Sequence, residues 1–143
     1  MIEKFDIAVV GGGIAGISVA ARLSKHAKIG LFEQEDFIAY HSSSRSAAVF
    51  ISDYGNSDVC ELNLITFYEL QSKYPNILRQ RGLMSLEKSS DIEEFDKHAK
   101  SLGLSLISVN EAKEKAPIID LKSTRQAAWR EDVFDIDTDL LIQ

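Results

Sequence analysis

An apolar run that ends in closely spaced glycines limits this chain more than any other feature. Phe5-Asp6-Ile7-Ala8-Val9-Val10 is rich in β-branched residues and stops at Gly11. Its length and its glycine boundary suit a fully buried parallel strand. From Ile14 to Lys25 the apolar period turns helical, with Ile14, Ile17 and Ala21 on one face. Lys28–Gln34 reads as a second strand that ends in acidic residues. Two strands joined by a helix make a β-α-β unit, and the crossover rule makes the pair parallel. The fold class is α/β, with a Rossmann-like unit at the start.

Gly11, Gly13 and Gly16 satisfy the pattern G-x-G-x-x-G. The first glycine permits a tight turn out of the strand. The second lets a pyrophosphate approach the backbone, and the third lets the helix pack close to the strand. The helix start at Ile14 offers free N–H groups and the positive end of the helix dipole to phosphates. Glu33 lies 22 residues after Gly11 (33 − 11), against a spacing of about 20 for the ribose-binding carboxylate of such units. Its charge disfavours a 2′-phosphate and so NADP. A glycine-rich turn can also be purely structural, and the fingerprint alone does not separate FAD from NAD, since both present ADP to it.

The next segment separates the two. Tyr40-His41-Ser42-Ser43-Ser44-Arg45-Ser46-Ala47-Ala48-Val49-Phe50 is a long polar loop where an NAD-binding half proceeds quickly to another helix and strand. Its hydroxyls and the forked donors of Arg45 suit phosphate. Ala47 and Ala48 leave room for a flat ring. A solvated serine-rich surface loop has the same composition. A short helical turn is predicted near Ser46–Phe50.

The remaining chain alternates short elements. A helix is predicted over Asp58–Tyr74, with Val59, Leu62, Thr66 and Leu70 on one stripe and Pro75 after its end. Gly82–Lys88 and Leu104–Ser108 read as strands, as does Thr124–Glu131. Ser90-Asp91-Ile92-Glu93 has capping-box spacing for a helix to about Leu102, which Gly103 stops. Asn110 is the expected cap of a helix that ends before Pro117. Asp137 is the expected cap of a last helix, Thr138–Gln143.

"VVGGGIAG", "LFEQE" and "YHSSSRSAAVF…DYG" together resemble the FAD-dependent D-amino-acid oxidase family. They are most similar to its D-arginine and other D-amino-acid dehydrogenase branch, where Y-H-S-T-G-R-S-A-A follows the second strand. "DIDTDLLIQ" (Asp135–Gln143) is similar to the family segment that leads back to the flavin domain. The first 55 residues carry the specific likeness, and Lys73–Lys122 is only loosely similar. The resemblance implies FAD as cofactor. It also implies removal of a hydride from the α-carbon of an amine, giving an imine that hydrolyses to a keto acid and ammonia. Flavin supplies that chemistry, and the protein orients the substrate. An amine that arrives deprotonated needs no protein acid or base, so no catalytic residue is assigned.

By that resemblance, Ala15, Glu33 and Gln34 contact FAD together with the glycine turn. So do Ser42, Ser43, Ser44, Arg45, Ser46, Ala47, Ala48 and Val49. Tyr54 matches a lid tyrosine over the substrate, although an ordinary loop tyrosine before a Gly-Asn turn reads the same way. Val49 stands where the arginine-using relative has a histidine, and Leu83 about where it has a carboxylate. Both argue for a small or apolar amino acid. Residues 1–80 are expected to be the N-terminal portion of the flavin-binding domain. Residues 81–134 are expected to begin an α+β substrate domain, and 135–143 to start the return. Family members are more than twice as long, so the chain reads as truncated relative to them. The missing part includes the arginine for the substrate carboxylate. A second chain that supplies the C-terminal half is therefore a candidate partner. The alternative is a fragment that binds nucleotide, or nothing, and has no catalysis of its own.

Composition excludes other classes. A net charge of −6 argues against a nucleic-acid partner. A single cysteine, Cys60, permits no internal disulfide and points to a reducing, cytoplasmic compartment. No stretch reaches the roughly 18 apolar residues of a membrane span, and the apolar run Ile7–Gly16 lacks the flanks of a signal peptide. His26, His41 and His98 are scattered and form no metal-ligand pattern. The acidic run Arg130–Asp139 lacks the glycine and terminal glutamate of a calcium loop and reads as a solvated turn with a helix cap.

Overall fold

The computed structural model describes residues 3–88 and 90–143. In chain order the elements are β1 (Ile7–Val10), α1 (Ile14–Leu23), β2 (Ile29–Phe32), β3 (Val49–Phe50), α2 (Ser57–Lys73), β4 (Leu78–Gln80), β5 (Leu83–Glu87), α3 (Ile92–Ser101), β6 (Ser105–Ile107), α4 (Val109–Lys115), β7 (Gln126–Arg130), β8 (Phe134–Ile136) and α5 (Thr138–Ile142). Contacts divide the chain into two compact units, residues up to Val49 with Ile136–Gln143, and Phe50–Asp135. Residues 50–80, assigned by sequence to the flavin-binding portion, cluster with the second unit.

The first unit is the expected β-α-β, but β1, expected to be fully buried, is largely exposed. β1 and β2 pair in parallel, from Ile7 opposite Ile29 to Val10 opposite Phe32. The Gly11 N–H donates to the Phe32 carbonyl at 2.7 Å and carries the pairing into the turn. Ala20 N-terminal to the helix end accepts from Ser24, which closes α1. In α5 the Asp137 side chain accepts from the Leu140 N–H, the predicted cap.

The second unit is built on an antiparallel sheet in the order β5-β7-β6. Neighbouring residues on a strand point to opposite faces, and Ala127 and Ala128 of β7 show both. Ala128 packs with Phe95, Ala99 and Leu104 beneath α3, and Ala127 packs with Ala112 and Ile119 beneath α4. Alanines at both positions let a helix approach each face. α2 joins through Phe67, whose ring stacks on Phe50 at 5.9 Å and meets Phe134 at 5.1 Å.

Several local expectations are corrected. No helical turn forms at Ser46–Phe50. Ala48 adopts φ 53°, its N–H bonds the Ser46 hydroxyl, and its carbonyl accepts from Ile136, so Val49–Phe50 becomes a strand. The inward stripe of α2 is Asn63, Phe67 and Leu70, with Leu62 exposed at 62%. The bulky Phe67 sets the phase that Leu62 and Thr66 were expected to set. Asp91, one residue beyond Ser90, caps α3 by accepting from Glu94. Ser108, not Asn110, caps α4 in a reciprocal box with Glu111. β4 and β8 were not foreseen, and β8 falls inside the run read as a solvated turn.

Candidate functional site

The glycine turn shows why it needs glycines. Gly11 has φ 105°, which L side chains rarely adopt. A side chain at Gly16 would drive into the Gly11 carbonyl oxygen. A Cβ at Gly12 would lie 3.0 Å from both Glu33 and Ile38. The helix and strand can therefore approach only while position 16 is bare.

Glu33, at the end of β2, locks this turn. One carboxylate oxygen accepts from the Gly12 N–H at 2.5 Å, and the other accepts from the N–H groups of Gln34 and Glu35 at 2.8 and 3.1 Å. Those bonds, led by the Gly12 N–H, hold its pKa below the ordinary glutamate value. An ionised carboxylate is an acceptor only, with lone pairs to spare for a hydroxyl pair such as a ribose diol. The Gln34 side chain turns to Glu35.

The serine loop comes to the same place. The Ser43 hydroxyl accepts from the Ile14 N–H at 3.0 Å and stands over the start of α1, where Gly13 provides no side-chain cap. Ile14, Ser42, Ser43 and Ser46 line a cavity of about 270 Å³. Ile136, Thr138, Leu141 and Ile142 complete its wall, and sequence reasoning missed these four. The signals for them were the helical period after the Asp137 cap and the likeness of Asp135–Gln143 to the family's return segment, neither of which aimed a side chain at the serine loop. Other loop residues serve the loop itself. Ser44 bonds the Tyr40 and Ala39 carbonyls. Arg45 donates to the Tyr40 carbonyl at 3.3 Å and lies over its ring. Ala15 and Ala47 are exposed, and Ala48 and Val49 are half-buried. His41 pairs with Glu35 at 2.9 Å.

In the second unit, Tyr54 and Leu83 line one cleft of about 300 Å³ with Asp53, Gly103 and Arg130. Sequence reasoning had named the first two separately and had no signal for the others. Among the described residues no three His, Cys, Asp or Glu side chains come together as a metal site, and no helix is long and apolar enough to cross a membrane.

A family model described as FAD dependent oxidoreductase matches residues 6–143. The chain belongs to the FAD dependent oxidoreductase family. Solved structures share its fold. Glycine oxidase from Bacillus cereus aligns with 97% of this chain and 43% of its own, at 21% identity and TM-score 0.72. L-proline dehydrogenase from P. horikoshii aligns over 99% and 40%, at 22% and 0.72. L-alpha-glycerophosphate oxidase from Mycoplasma pneumoniae, with FAD bound, aligns over 99% and 41%, at 18% and 0.75. The chain thus spans less than half the length of these relatives. FAD is the cofactor of the family, and the residues of the first unit fit its ADP half. They supply a turn no side chain can fill, a helix N-terminus ten residues strong and an ionised acceptor at the end of the second strand.

Proposed function

We propose that the chain is the N-terminal portion of an FAD-dependent oxidoreductase that oxidises the Cα–N bond of an amino acid, a D-amino acid or similar amine, by hydride transfer to flavin. FAD, when bound, takes up the hydride that leaves the α-carbon. The observation that carries the reading is the convergence of the Gly11–Gly16 turn, Glu33 and the Ser42–Ser46 loop in one unit. Gly11, Gly13, Ile14, Ala15 and Gly16 take the pyrophosphate side, and Glu33 and Gln34 take the ribose. Ser42, Ser43, Ser44, Arg45, Ser46, Ala47, Ala48 and Val49 run along the flavin. Tyr54 and Leu83 contact the substrate. The family segment resembled by the serine loop supports an amine substrate, as do relatives named for glycine and L-proline, although one relative is named for glycerophosphate. Val49 and Leu83 support a small or apolar amino acid over arginine.

Hydride transfer requires substrate and flavin in near-attack geometry, and the chain spans less than half of its relatives' length. The remaining part of the family fold, in this protein or in a second polypeptide, is part of the proposal. Val10, 87% exposed, and Phe37, 73% exposed, are apolar residues of the first unit that such a part would cover. The same span favours a second reading, a nucleotide-binding piece without catalysis of its own. The visible spectrum of the purified chain separates them, taken alone and mixed with the C-terminal half of a relative. Bound flavin that D-amino acids bleach in the mixture supports the oxidoreductase. Bound flavin that they never bleach leaves the second reading, and no bound flavin in either sample sinks the first.

A further inference from the structure

Arg130 is a charged side chain in the core of the second unit, only 8% exposed. Its Nε donates to Asp132 Oδ1 and its Nη2 to Asp132 Oδ2, both at 2.8 Å, a two-pronged pair. Its Nη1 reaches the other way. It donates to Asp53 at 3.0 and 3.2 Å and to the Leu102 carbonyl at 3.0 Å. One guanidinium therefore joins β7, the end of α3, the turn before β8 and the turn that precedes α2. Gly103 makes the space, since a Cβ there would lie 2.7 Å from Nη1. Lysine, a point charge without the fork, cannot make this set of bonds.

The contact with Asp53 differs in kind from the others. Asp132 is two residues from Arg130, and its bond is local. Asp53 is 77 residues away and directly precedes Tyr54. The 51–55 turn is also held by a long Tyr54 N–H to Ile51 carbonyl bond of 3.4 Å, by Asn63, whose amide donates to the Tyr54 carbonyl at 3.1 Å and the Ile51 carbonyl at 3.5 Å, and by the Cys60 thiol at 3.7 Å from the Gly55 carbonyl. Tyr54 itself is 69% exposed, and among the described residues its ring stacks on no other ring.

We propose that Arg130 is a positioning residue, whose grip on Asp53 sets where Tyr54 stands at the mouth of its cleft. This rests on the proposed reading of Tyr54 as a substrate contact. The grip would fix the turn before an amino acid arrives, which lowers the cost of ordering it on binding.

The test is fluorine NMR of the full, FAD-loaded chain carrying 3-fluorotyrosine, with the signals of Tyr40, Tyr54, Tyr68 and Tyr74 assigned by Tyr→Phe variants. Asp53→Ala is expected to shift and narrow the Tyr54 signal and leave Tyr40 in place. Asp53→Asn, whose carbonyl oxygen still accepts from Arg130, is expected to restore part of the wild-type signal. Asp132→Ala is the control for stability, expected to lower the melting temperature without moving Tyr54. A Tyr54 signal unchanged in Asp53→Ala overturns the proposal. So does one that moves in Asp132→Ala in proportion to lost stability, the mark of a structural role alone. D-alanine reads the substrate assignment separately. It is expected to shift Tyr54 in the wild type, with half-saturation about tenfold higher in Asp53→Ala, the factor that accompanies about 1.4 kcal/mol. A Tyr54 that follows Asp53→Ala but ignores D-alanine overturns the proposed function and leaves the positioning role standing.

Discussion

Glu33 links the glycine turn to the end of β2 through hydrogen bonds that only its ionised form accepts in full. Its pKa is lowered, first by the Gly12 N–H and then by that of Glu35. A carboxylate with a depressed folded pKa contributes stability that is complete above its unfolded value, 4.5. That contribution fades as pH falls through the lower folded value. Glu33→Gln is expected to lower the melting temperature at neutral pH and to flatten its decline on the acid side of pH 4.5. A variant with the wild-type acid limb would show that Glu33 does not hold the turn. At this scale the sequence was informative where a residue type has one use. Gly11 and Gly16 could be given their turn and packing roles from spacing, whereas Glu33, expected at a ribose, reveals its bond to the Gly12 N–H only in the fold. The Ser43 hydroxyl could not be singled out from spacing, because four serines in five positions offer the same chemistry and only the folded loop selects the one that meets Ile14.

Elements whose stabilising contacts are local were legible, and those whose contacts are distant were not. β1, α1 and β2 follow from apolar period and glycine placement, and the Asp137 cap of α5 lies within its own first turn. β3 and β8 are two and three residues long, and no pattern in so short a run can announce a strand. They exist because the Ala48 carbonyl meets the Ile136 N–H and because Phe50 and Phe134 flank Phe67. The phase of α2 failed for the same reason, since Phe67 faces partners far away in sequence. Caps sit between these cases. At α4 both Ser108 and Asn110 were chemically able, and the reciprocal bond with Glu111 decides for Ser108. Ser108→Ala is expected to cost about 1 kcal/mol, read as a lower urea midpoint at unchanged slope. Asn110→Ala is expected to move that midpoint by only a few tenths, the effect of an ordinary surface change.

The two units differ in how they bury apolar surface. The second unit has a sheet covered on both faces, around Phe95 and Leu104 on one side and Ile119 and Ala112 on the other. In the first unit the described buried residues are Gly12, Gly30 and Ala39, and a two-stranded sheet packed against a single helix buries little apolar surface. Amide hydrogen exchange of the chain is therefore expected to be slowest in β5, β6 and β7 and much faster in β1 and β2. Equal protection would contradict that division. The measurement that bears most directly on the central claim is calorimetric titration of the chain with FAD, with FMN, which lacks the AMP part and so the adenosine and one phosphate, and with ADP. A turn built for ADP predicts that FAD and ADP bind, that FMN does not, and that Gly16→Ala abolishes both by pushing α1 off β1. Failure of FAD to bind, or FAD binding that Gly16→Ala leaves intact, would contradict it.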